Sequence, residues 1–309
     1  MRIVFMGTPD FSVECLKALV ASEHEIVGVF CQPDKPVGRK QILTPPDVKV
    51  EAIKHGLKVF QPVSLRSGKG VEILQELKPD LVVVVAYGKI LPDDFLAFPK
   101  YGCINVHASI LPKYRGASPI HYAVLNGDRI TGVTVQQMDS GIDTGDILNI
   151  KECEIGINDT TEYMYEVLAP LGAEALTETI KMIENGSLKP VRQNESEATH
   201  VGLLTKEMSG IDWTASAFSV HNKIRGLYSW PGASTKLNGK TLKIHSSVLC
   251  DIKGNNIPGE IIDSNGRLLV CCGDNNTIEI KSVQLEGKKR MDTAVFLNGY
   301  PIPKGTVLG

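Results

Sequence analysis

The chain has 309 residues, a mass of 33.6 kDa and a formal net charge of −2, with 42% hydrophobic and 22% charged residues. This length suggests about two domains, and the composition excludes a disordered chain, a collagen and a coiled coil. The small net charge conceals an asymmetry, because residues 206–309 carry a net +4 and residues 1–205 a net −6. A basic C-terminal part is compatible with nucleic-acid binding, and also with chance.

The seven cysteines include no C-x-x-C pair. An odd number without that spacing predicts reduced thiols in a cytosolic protein rather than a disulfide framework or a zinc site. The apolar run at residues 3–6 is too short for a signal peptide, and no stretch of 18 apolar residues predicts a membrane span. The sequence therefore predicts a cytoplasmic protein with no membrane association.

In the first 190 residues, predicted strands alternate with predicted helices. Residues 3–6, 11–20 and 26–30 predict a strand–helix–strand unit. Residues 81–86 include four consecutive valines and predict a central parallel strand that is buried on both faces. The other predicted elements are a loop at 32–46, helices at 48–55, 71–77 and 160–184, and strands at 103–106, 133–138 and 147–150. This order predicts a Rossmann-like α/β domain with a mostly parallel sheet.

The pattern changes near residue 190, where a polar stretch without periodicity predicts a linker. A predicted helix at 215–225 precedes short strand-like runs, and Asn238-Gly239 and Asn265-Gly266 are typical of hairpin turns. The strand-like runs lie at 234–237, 241–247, 259–264, 267–272 and 277–285. Short strands with tight turns predict a small OB-like β-barrel. We therefore expect a catalytic domain at 1–189, a linker at 190–205 and a β-barrel domain at 206–309.

The turn Gly7-Thr8-Pro9-Asp10 lies where a dinucleotide-binding loop would follow the first strand. The G-x-G-x-x-G spacing is missing, and Pro9 lacks an amide hydrogen that a phosphate could use. A nicotinamide cofactor is therefore disfavoured. Gly7 is expected to form a tight strand-to-helix turn or to line the ligand cleft of the sheet.

Asn105 and His107 lie two residues apart on a predicted strand, so their side chains share one face. An amide donor beside an imidazole suits acyl transfer, because the two can stabilise an oxyanion and move a proton. A structural histidine at a strand end is the alternative. The acidic loop 139–146 lacks the EF-hand pattern, so calcium is disfavoured. One Asp of this loop could orient His107, or the loop could consist of turn formers only.

Residues 109–116 form a predicted loop that is constrained by Pro112 and Gly116. Its backbone could bind a flat heterocyclic ligand, and a plain connecting loop is the alternative.

Several motifs taken together resemble the 10-formyltetrahydrofolate-dependent formyltransferases, and within them the methionyl-tRNA formyltransferases. The match covers nearly the whole chain in order, which makes it more specific than any single motif. The matching motifs are Gly7-Thr8-Pro9-Asp10-Phe11, Gln32-Pro33-Asp34-Lys35-Pro36, Val84-Val85-Ala86-Tyr87-Gly88, Asn105-Val106-His107-Ala108-Ser109, Tyr114-Arg115-Gly116, Gly141-Ile142-Asp143-Thr144-Gly145, Ile211-Asp212-Trp213, Ile224-Arg225-Gly226 and Trp230-Pro231.

The resemblance implies catalytic roles for three residues, Asn105, His107 and Asp143, and a folate-binding segment made of Ser109, Ile110, Leu111 and Pro112. Ile110 replaces the leucine that is usual in the family, a same-size apolar change that should matter little. The family also has an insertion, here residues 36–43, that approaches the acceptor end of the tRNA. The candidate tRNA-binding residues are Arg39, Lys40, Lys288, Lys289 and Arg290.

The activity that the resemblance implies is formyl transfer from 10-formyltetrahydrofolate to the α-amino group of methionine on initiator tRNA, without a metal. A monomer is expected. A small-molecule formyltransferase acting on a nucleotide sugar or on glycinamide ribonucleotide is one alternative. A folate-dependent hydrolase or a non-catalytic RNA-binding protein is the other.

Overall fold

The computed structural model describes residues 1–38 and 40–309. Within them the chain divides into two compact units, each assembled from separate stretches of sequence. The first unit comprises Met1–Gly116, Thr131–Cys153 and Tyr165–Val201. The second unit comprises Ala117–Ile130, Glu154–Met164 and Gly202–Gly309. The predicted linker at 190–205 therefore contributes most of its residues to the first unit.

The first unit is built on one twisted sheet with the strand order β5-β2-β1-β6-β7-β9-β10. The strands up to β7 pair in parallel, and β9 runs antiparallel to β7. The strands of this part of the chain are β1 Arg2–Gly7, β2 Glu25–Phe30, β3 Lys35–Val37, β4 Ile42–Thr44, β5 Val59–Phe60, β6 Leu81–Val85, β7 Cys103–His107, β8 Arg115–Gly116, β9 Ile130–Gln137, β10 Ile147–Glu154 and β11 His200–Val201. The predicted Rossmann-like, mostly parallel arrangement is confirmed.

Burial explains why β6 lies at the centre of this sheet. All its side chains are buried, since neighbouring strands and the covering layers leave neither face open. The helices of the chain are α1 Phe11–Val20, α2 Asp47–Lys54, α3 Lys69–Leu77, α4 Asp93–Leu96, α5 Pro119–Asn126, α6 Thr161–Glu184, α7 Ala217–Gly226 and α8 Thr293–Gly299. Asp10 caps α1 by accepting a hydrogen bond from the amide of Phe11 at 2.8 Å, and α6 continues through Pro170.

The prediction of a loop over residues 32–46 is wrong for part of that stretch. Strands β3 and β4 pair antiparallel there, as a hairpin. Their residues are exposed, so the alternation of buried and exposed side chains that predicts a strand is missing.

The second unit is built on an antiparallel sheet with the order β12-β13-β16-β15-β14, and β17 pairs with β16. Its strands are β12 Ala233–Leu237, β13 Lys240–Cys250, β14 Ile261–Asp263, β15 Leu268–Cys271, β16 Thr277–Leu285 and β17 Met291–Asp292. Asn238 and Gly239 both have positive φ between β12 and β13, which confirms the predicted hairpin turn. The closure of this sheet into an OB-like barrel stays a prediction.

The core of the second unit packs α7 and α8 against the sheet. Trp213 is 4% exposed, and its indole Nε1 donates to Thr235 Oγ1 at 3.0 Å. Arg225 on α7 is also buried, and its Nη1 donates to the carbonyls of Asp159 and Gly156 at 2.9 and 3.3 Å. Arg225 thus holds residues 154–164 against helix α7.

Among the described helices, none combines the length and apolar character that a bilayer-crossing segment requires.

Candidate active site

The candidate site lies where β7 ends at the carboxyl edge of the first unit's sheet. Asn105 and His107 pair with Gln136 and Thr134 of β9. Because directly opposite residues of an antiparallel pair present their side chains on the same face, these four side chains share one surface. The predicted common face of Asn105 and His107 therefore also carries polar groups from the next strand.

Asp143 approaches this surface from the loop between β9 and β10. Its Oδ2 lies 3.5 Å from Nδ1 of His107, and its Oδ1 lies 3.4 Å from Nδ2 of Asn105. Asp143 has a φ of +55°, a left-handed conformation that aspartate tolerates better than most residues. The three side chains predicted as catalytic thus come together, and their roles in a reaction stay a prediction.

Both ring nitrogens of His107 face oxygen acceptors. The ring is 6% exposed, with Nε2 at 2.9 Å from the carbonyl of Tyr114 and Nδ1 at 3.5 Å from Asp143. A neutral imidazole can donate through only one nitrogen, whereas the imidazolium can donate to both acceptors. In either form the ring can therefore keep at least one hydrogen bond to these two acceptors.

Two further groups hold the Asp143 carboxylate. The side-chain amide of Gln136 donates to Oδ1 at 2.7 Å, and the backbone amide of Gly116 donates to Oδ2 at 2.8 Å. Sequence reasoning missed both. The signal that could have found Gln136 is its place opposite Asn105, which requires the pairing register of β7 and β9.

The backbone of the Asp143 loop is held from residues 190–201. The side-chain amide of Gln193 donates to the carbonyls of Asp143 and Gly145, at 2.9 and 2.7 Å. The buried guanidinium of Arg115 donates to Gln193 Oε1 and to both carboxylate oxygens of Glu195. The hydrogen bond from Arg115 lowers the pKa of Glu195. This segment, predicted as a linker, therefore supports the candidate site.

The predicted folate-binding segment is fastened by internal hydrogen bonds. Ser109 is fully buried, and its hydroxyl donates to the carbonyl of Lys113 at 2.6 Å. Thr134 Oγ1 donates to the carbonyl of Ser109 at 2.7 Å and accepts from the amide of Leu111 at 3.1 Å. Leu111 is 2% exposed, whereas Ile110 and Pro112 are half-buried. Of the four side chains, Ile110 and Pro112 are therefore the ones that a ligand could contact. Folate binding by this segment stays a prediction.

Three of the matching motifs meet at the carbonyl of Tyr87. Thr8 Oγ1 donates to it at 3.1 Å and the side-chain amide of Gln32 at 3.0 Å. The Tyr87 ring is buried, and burial raises the pKa of its hydroxyl to about 12. These contacts join the loops that follow β1, β2 and β6 at the edge of the sheet where open α/β folds bind ligands.

The basic residues predicted to contact tRNA have different surroundings. Arg39 lies outside the described residues, and Lys40 is exposed in the turn of the β3–β4 hairpin. Lys288 and Lys289 are exposed between β16 and β17. Arg290 stacks over the Tyr228 ring and donates to its hydroxyl at 2.9 Å. Their part in tRNA binding stays a prediction.

The β3–β4 hairpin also exposes apolar side chains. Val37, Ile42 and Leu43 are 56%, 61% and 65% exposed.

Residues 1–38 and 40–309 contain no group of three His, Cys, Asp or Glu side chains that could hold a metal ion. The predicted absence of a metal from the reaction stays a prediction.

Two family models match the chain. The family described as "Formyl transferase" matches residues 1–180, and the family described as "Formyl transferase, C-terminal domain" matches residues 203–301. Similar relatives include the methionyl-tRNA formyltransferases of Alkaliphilus oremlandii and Caldanaerobacter subterraneus subsp. tengcongensis. They are 46% identical over 309 and 311 residues, with 100% of this chain and 100% of each relative covered.

Solved structures share the fold at lower identity. WlaRD, a sugar 3N-formyltransferase, has a TM-score of 0.70 at 22% identity, with 94% of this chain and 99% of that chain covered. The N-formyltransferase from Helicobacter canadensis, solved with folinic acid and dTDP-3-aminofucose, also has a TM-score of 0.70 at 22% identity. It covers 90% of this chain and 98% of its own.

Proposed function

This chain belongs to the formyl transferase family, and from that premise we propose that it transfers the formyl group of 10-formyltetrahydrofolate to the α-amino group of methionyl-tRNA. The relatives that carry the name methionyl-tRNA formyltransferase match the chain from end to end. The acceptor is the initiator methionyl-tRNA, and the product is N-formylmethionyl-tRNA for translation initiation.

The observation that supports this proposal is that the Asp143 carboxylate lies within 3.5 Å of both the Asn105 amide and the His107 ring. The set combines an amide donor, an imidazole and a carboxylate. Acyl transfer from nitrogen to nitrogen needs a donor for the developing oxyanion and a group that moves one proton. These three side chains provide both functions.

In the proposed reaction the neutral amine of the methionyl group attacks the formyl carbon. A carbon–nitrogen bond forms, and the formyl oxygen becomes an oxyanion. The bond between that carbon and N10 of the folate then breaks, and the amine proton is delivered to N10. The formyl group on N10 is already activated, so we propose that no metal takes part.

Asn105 donates its amide hydrogen to the oxyanion in this mechanism. His107, oriented by Asp143, passes the proton from the attacking amine towards N10. Since Nδ1 faces Asp143, the nitrogen of His107 that takes the amine proton is Nε2, which must first leave the Tyr114 carbonyl that it contacts at 2.9 Å. Substrate binding should therefore weaken the contact between His107 and Tyr114.

The two parts of the chain have separate proposed tasks. Residues 1–189 form the catalytic domain, and Ser109–Pro112 bind the folate. Residues 190–205 connect the two parts, with residues 190–201 packed in the first unit. Residues 206–309 form an OB-like barrel that binds tRNA with Lys288, Lys289 and Arg290 among the contacts. Arg39 and Lys40 approach the acceptor end of the tRNA. We further propose a monomer that works in the cytoplasm.

The test is a formylation assay with the folate donor and three acceptors: charged initiator tRNA, uncharged initiator tRNA and a dTDP-linked amino sugar. We expect formyl incorporation into the charged tRNA only, because the amine of the methionyl group is the nucleophile. The His107→Ala variant should lose this activity while it still unfolds cooperatively, at a lower Tm because the buried contact with the Tyr114 carbonyl is lost.

Each other outcome contradicts the proposal in a different way. Formylation of the amino sugar instead of the tRNA would support a small-molecule formyltransferase. Formate release without an acceptor would support a hydrolase. Tight tRNA binding with no formyl transfer by the wild type would support an RNA-binding protein.

A further inference from the structure

Gln136 is a buried residue that neighbours both Asn105 and Asp143, two of the side chains that the proposed mechanism uses. It is 2% exposed, and its register partner on β7 is Asn105. Its side-chain amide donates to Asp143 Oδ1 at 2.7 Å, which is shorter than the 3.4 Å contact from Asn105 to the same oxygen. Gln136 therefore provides the closer of these two hydrogen bonds to that oxygen.

The carbonyl end of the same side chain has no partner among the described residues. Gln136 Oε1 is buried and accepts no hydrogen bond there. A buried acceptor without a donor destabilises a folded protein, and an apolar side chain of similar length would avoid that cost. Core stability therefore gives no reason for a glutamine at this position. The hydrogen bond from its amide to Asp143 gives one.

The contacts divide the Asp143 carboxylate into two sides. Oδ1 accepts from the two side-chain amides, Gln136 and Asn105. Oδ2 accepts from the backbone amide of Gly116 and faces Nδ1 of His107. A carboxylate can rotate about its bond to the β-carbon, and the amide of Gln136 restrains that rotation so that Oδ2 stays towards the imidazole.

We propose that Gln136 is a positioning residue that sets the orientation of the Asp143 carboxylate towards His107. This inference rests on the proposed function, because it gives Asp143 the task of orienting the imidazole during formyl transfer. Gln136 itself does not touch the reacting atoms in this proposal.

Two variants separate positioning from a general packing role. Gln136→Met keeps the length of the side chain and removes the donor. We expect a fall in kcat of about 10- to 100-fold with little change in KM, because misplacing a catalytic group slows chemistry more than binding.

Gln136→Glu keeps the shape and makes the donor dependent on pH. When protonated, the new carboxylic acid can donate to Asp143, and when ionised it repels Asp143. Within residues 1–38 and 40–309, His107 and the guanidinium of Arg115 are charged or titratable groups that also interact with Asp143. Relative to the wild type, this variant should lose activity as the pH rises, whereas Gln136→Met should be impaired equally at every pH.

Gln137→Met is the matched control. Gln137 is the next residue on β9, so its side chain points to the opposite face, where its amide donates to the carbonyl of Cys103 at 2.9 Å. The control has the same change of residue type and loses one hydrogen bond, but it leaves Asp143 untouched. We expect wild-type kcat for this variant.

The experiment measures kcat and KM for charged initiator tRNA from pH 6 to 9 in the four proteins, and adds a crystal structure of Gln136→Met. We expect that structure to show the Asp143 carboxylate turned away from His107. An unchanged carboxylate, or a Gln136→Met enzyme as active as the wild type, would overturn the inference. A wild type that transfers no formyl group would overturn the proposed function, and the crystal structure would still decide whether Gln136 orients Asp143.

Discussion

The guanidinium of Arg115 donates to the side-chain oxygen of Gln193 through two nitrogens, at 3.0 and 2.9 Å. Arg115 is 1% exposed, and Gln193 is 5% exposed. Gln193 in turn donates to the backbone of the loop that carries Asp143. A buried polar pair therefore connects residues 190–201 to the backbone of the loop that carries the Asp143 carboxylate.

Replacing Arg115 with Met should destabilise the protein and lower its activity. The substitution leaves Gln193 Oε1 without a donor, at a cost of about 1–3 kcal/mol in the free energy of unfolding. Urea unfolding measures that cost. Glu195→Gln is the control, because Glu195 is 66% exposed on its side chain and an exposed partner contributes little. A stable Arg115→Met protein would show that the pair does not support the loop.

Replacing Asn105 with Ala should reduce kcat about 10²- to 10³-fold, since the loss of one oxyanion donor typically has an effect of that size. Folding should stay intact, because the side-chain hydrogen bond that Asn105 makes within the described residues is long, at 3.4 Å. Steady-state formylation and circular dichroism test the two statements. Near-normal turnover in this variant would contradict the proposed role of Asn105.

Replacing Thr134 with Val should raise the KM for the folate donor. The change removes the hydroxyl that holds the carbonyl of Ser109 and the amide of Leu111, so residues 109–112 lose their fixed backbone position. Thr179→Val is the matched control, because Thr179 is fully buried too, and its hydroxyl donates only to the carbonyl of Ala175 within α6. Equal KM values in the two variants would contradict folate binding by this segment.

Replacing Lys288 and Lys289 together with Ala should weaken tRNA binding and flatten its dependence on salt. Each lost phosphate contact should reduce the slope of log K against log salt by about one. Fluorescence anisotropy between low and moderate salt measures the slope. Lys69→Ala, an exposed lysine on α3, is the control. An unchanged slope in the double variant would remove these lysines from the binding surface.

Acid should destabilise the chain through buried histidines. Burial lowers the pKa of His121 to about 4 and also lowers the pKa of His221. In the unfolded chain both should titrate near pH 6.5, so below that pH the unfolded state binds more protons than the folded state. The free energy of unfolding should then fall by up to about 1.4 kcal/mol per pH unit for each histidine.

Urea unfolding at pH 7.5 and pH 5 tests this expectation. His221→Gln should show a smaller loss between the two pH values than the wild type, whatever its stability at pH 7.5. His24→Gln is the control, because it makes the same change of residue type in the other unit. His24 lies beside the N-terminus and Glu184 in the first unit, whereas His221 lies in the second. A pH dependence unchanged by His221→Gln would contradict the assignment.

The sequence alone determined the features that depend on local pattern or on motifs in order. The apolar run at 81–86 predicted the central strand, and Asn238-Gly239 predicted a hairpin turn, because burial and backbone conformation act on neighbouring residues. The two-residue spacing of Asn105 and His107 predicted a shared face, because side chains alternate between the two faces of a strand. Asp143 joined them only through the family resemblance, since it lies on a separate loop.

Only the tertiary structure decided which distant side chains meet those residues. The contacts of Gln136, Gln193 and Gly116 with Asp143 depend on the register of β7 with β9 and on the return of residues 190–201 to the first unit. Neither is encoded in local periodicity, and a polar stretch such as 190–199 has the composition of a linker even where it packs. The β3–β4 hairpin escaped prediction because none of its strand residues is buried. Hydrogen bonds between residues far apart in sequence form only once packing has brought their strands and loops together.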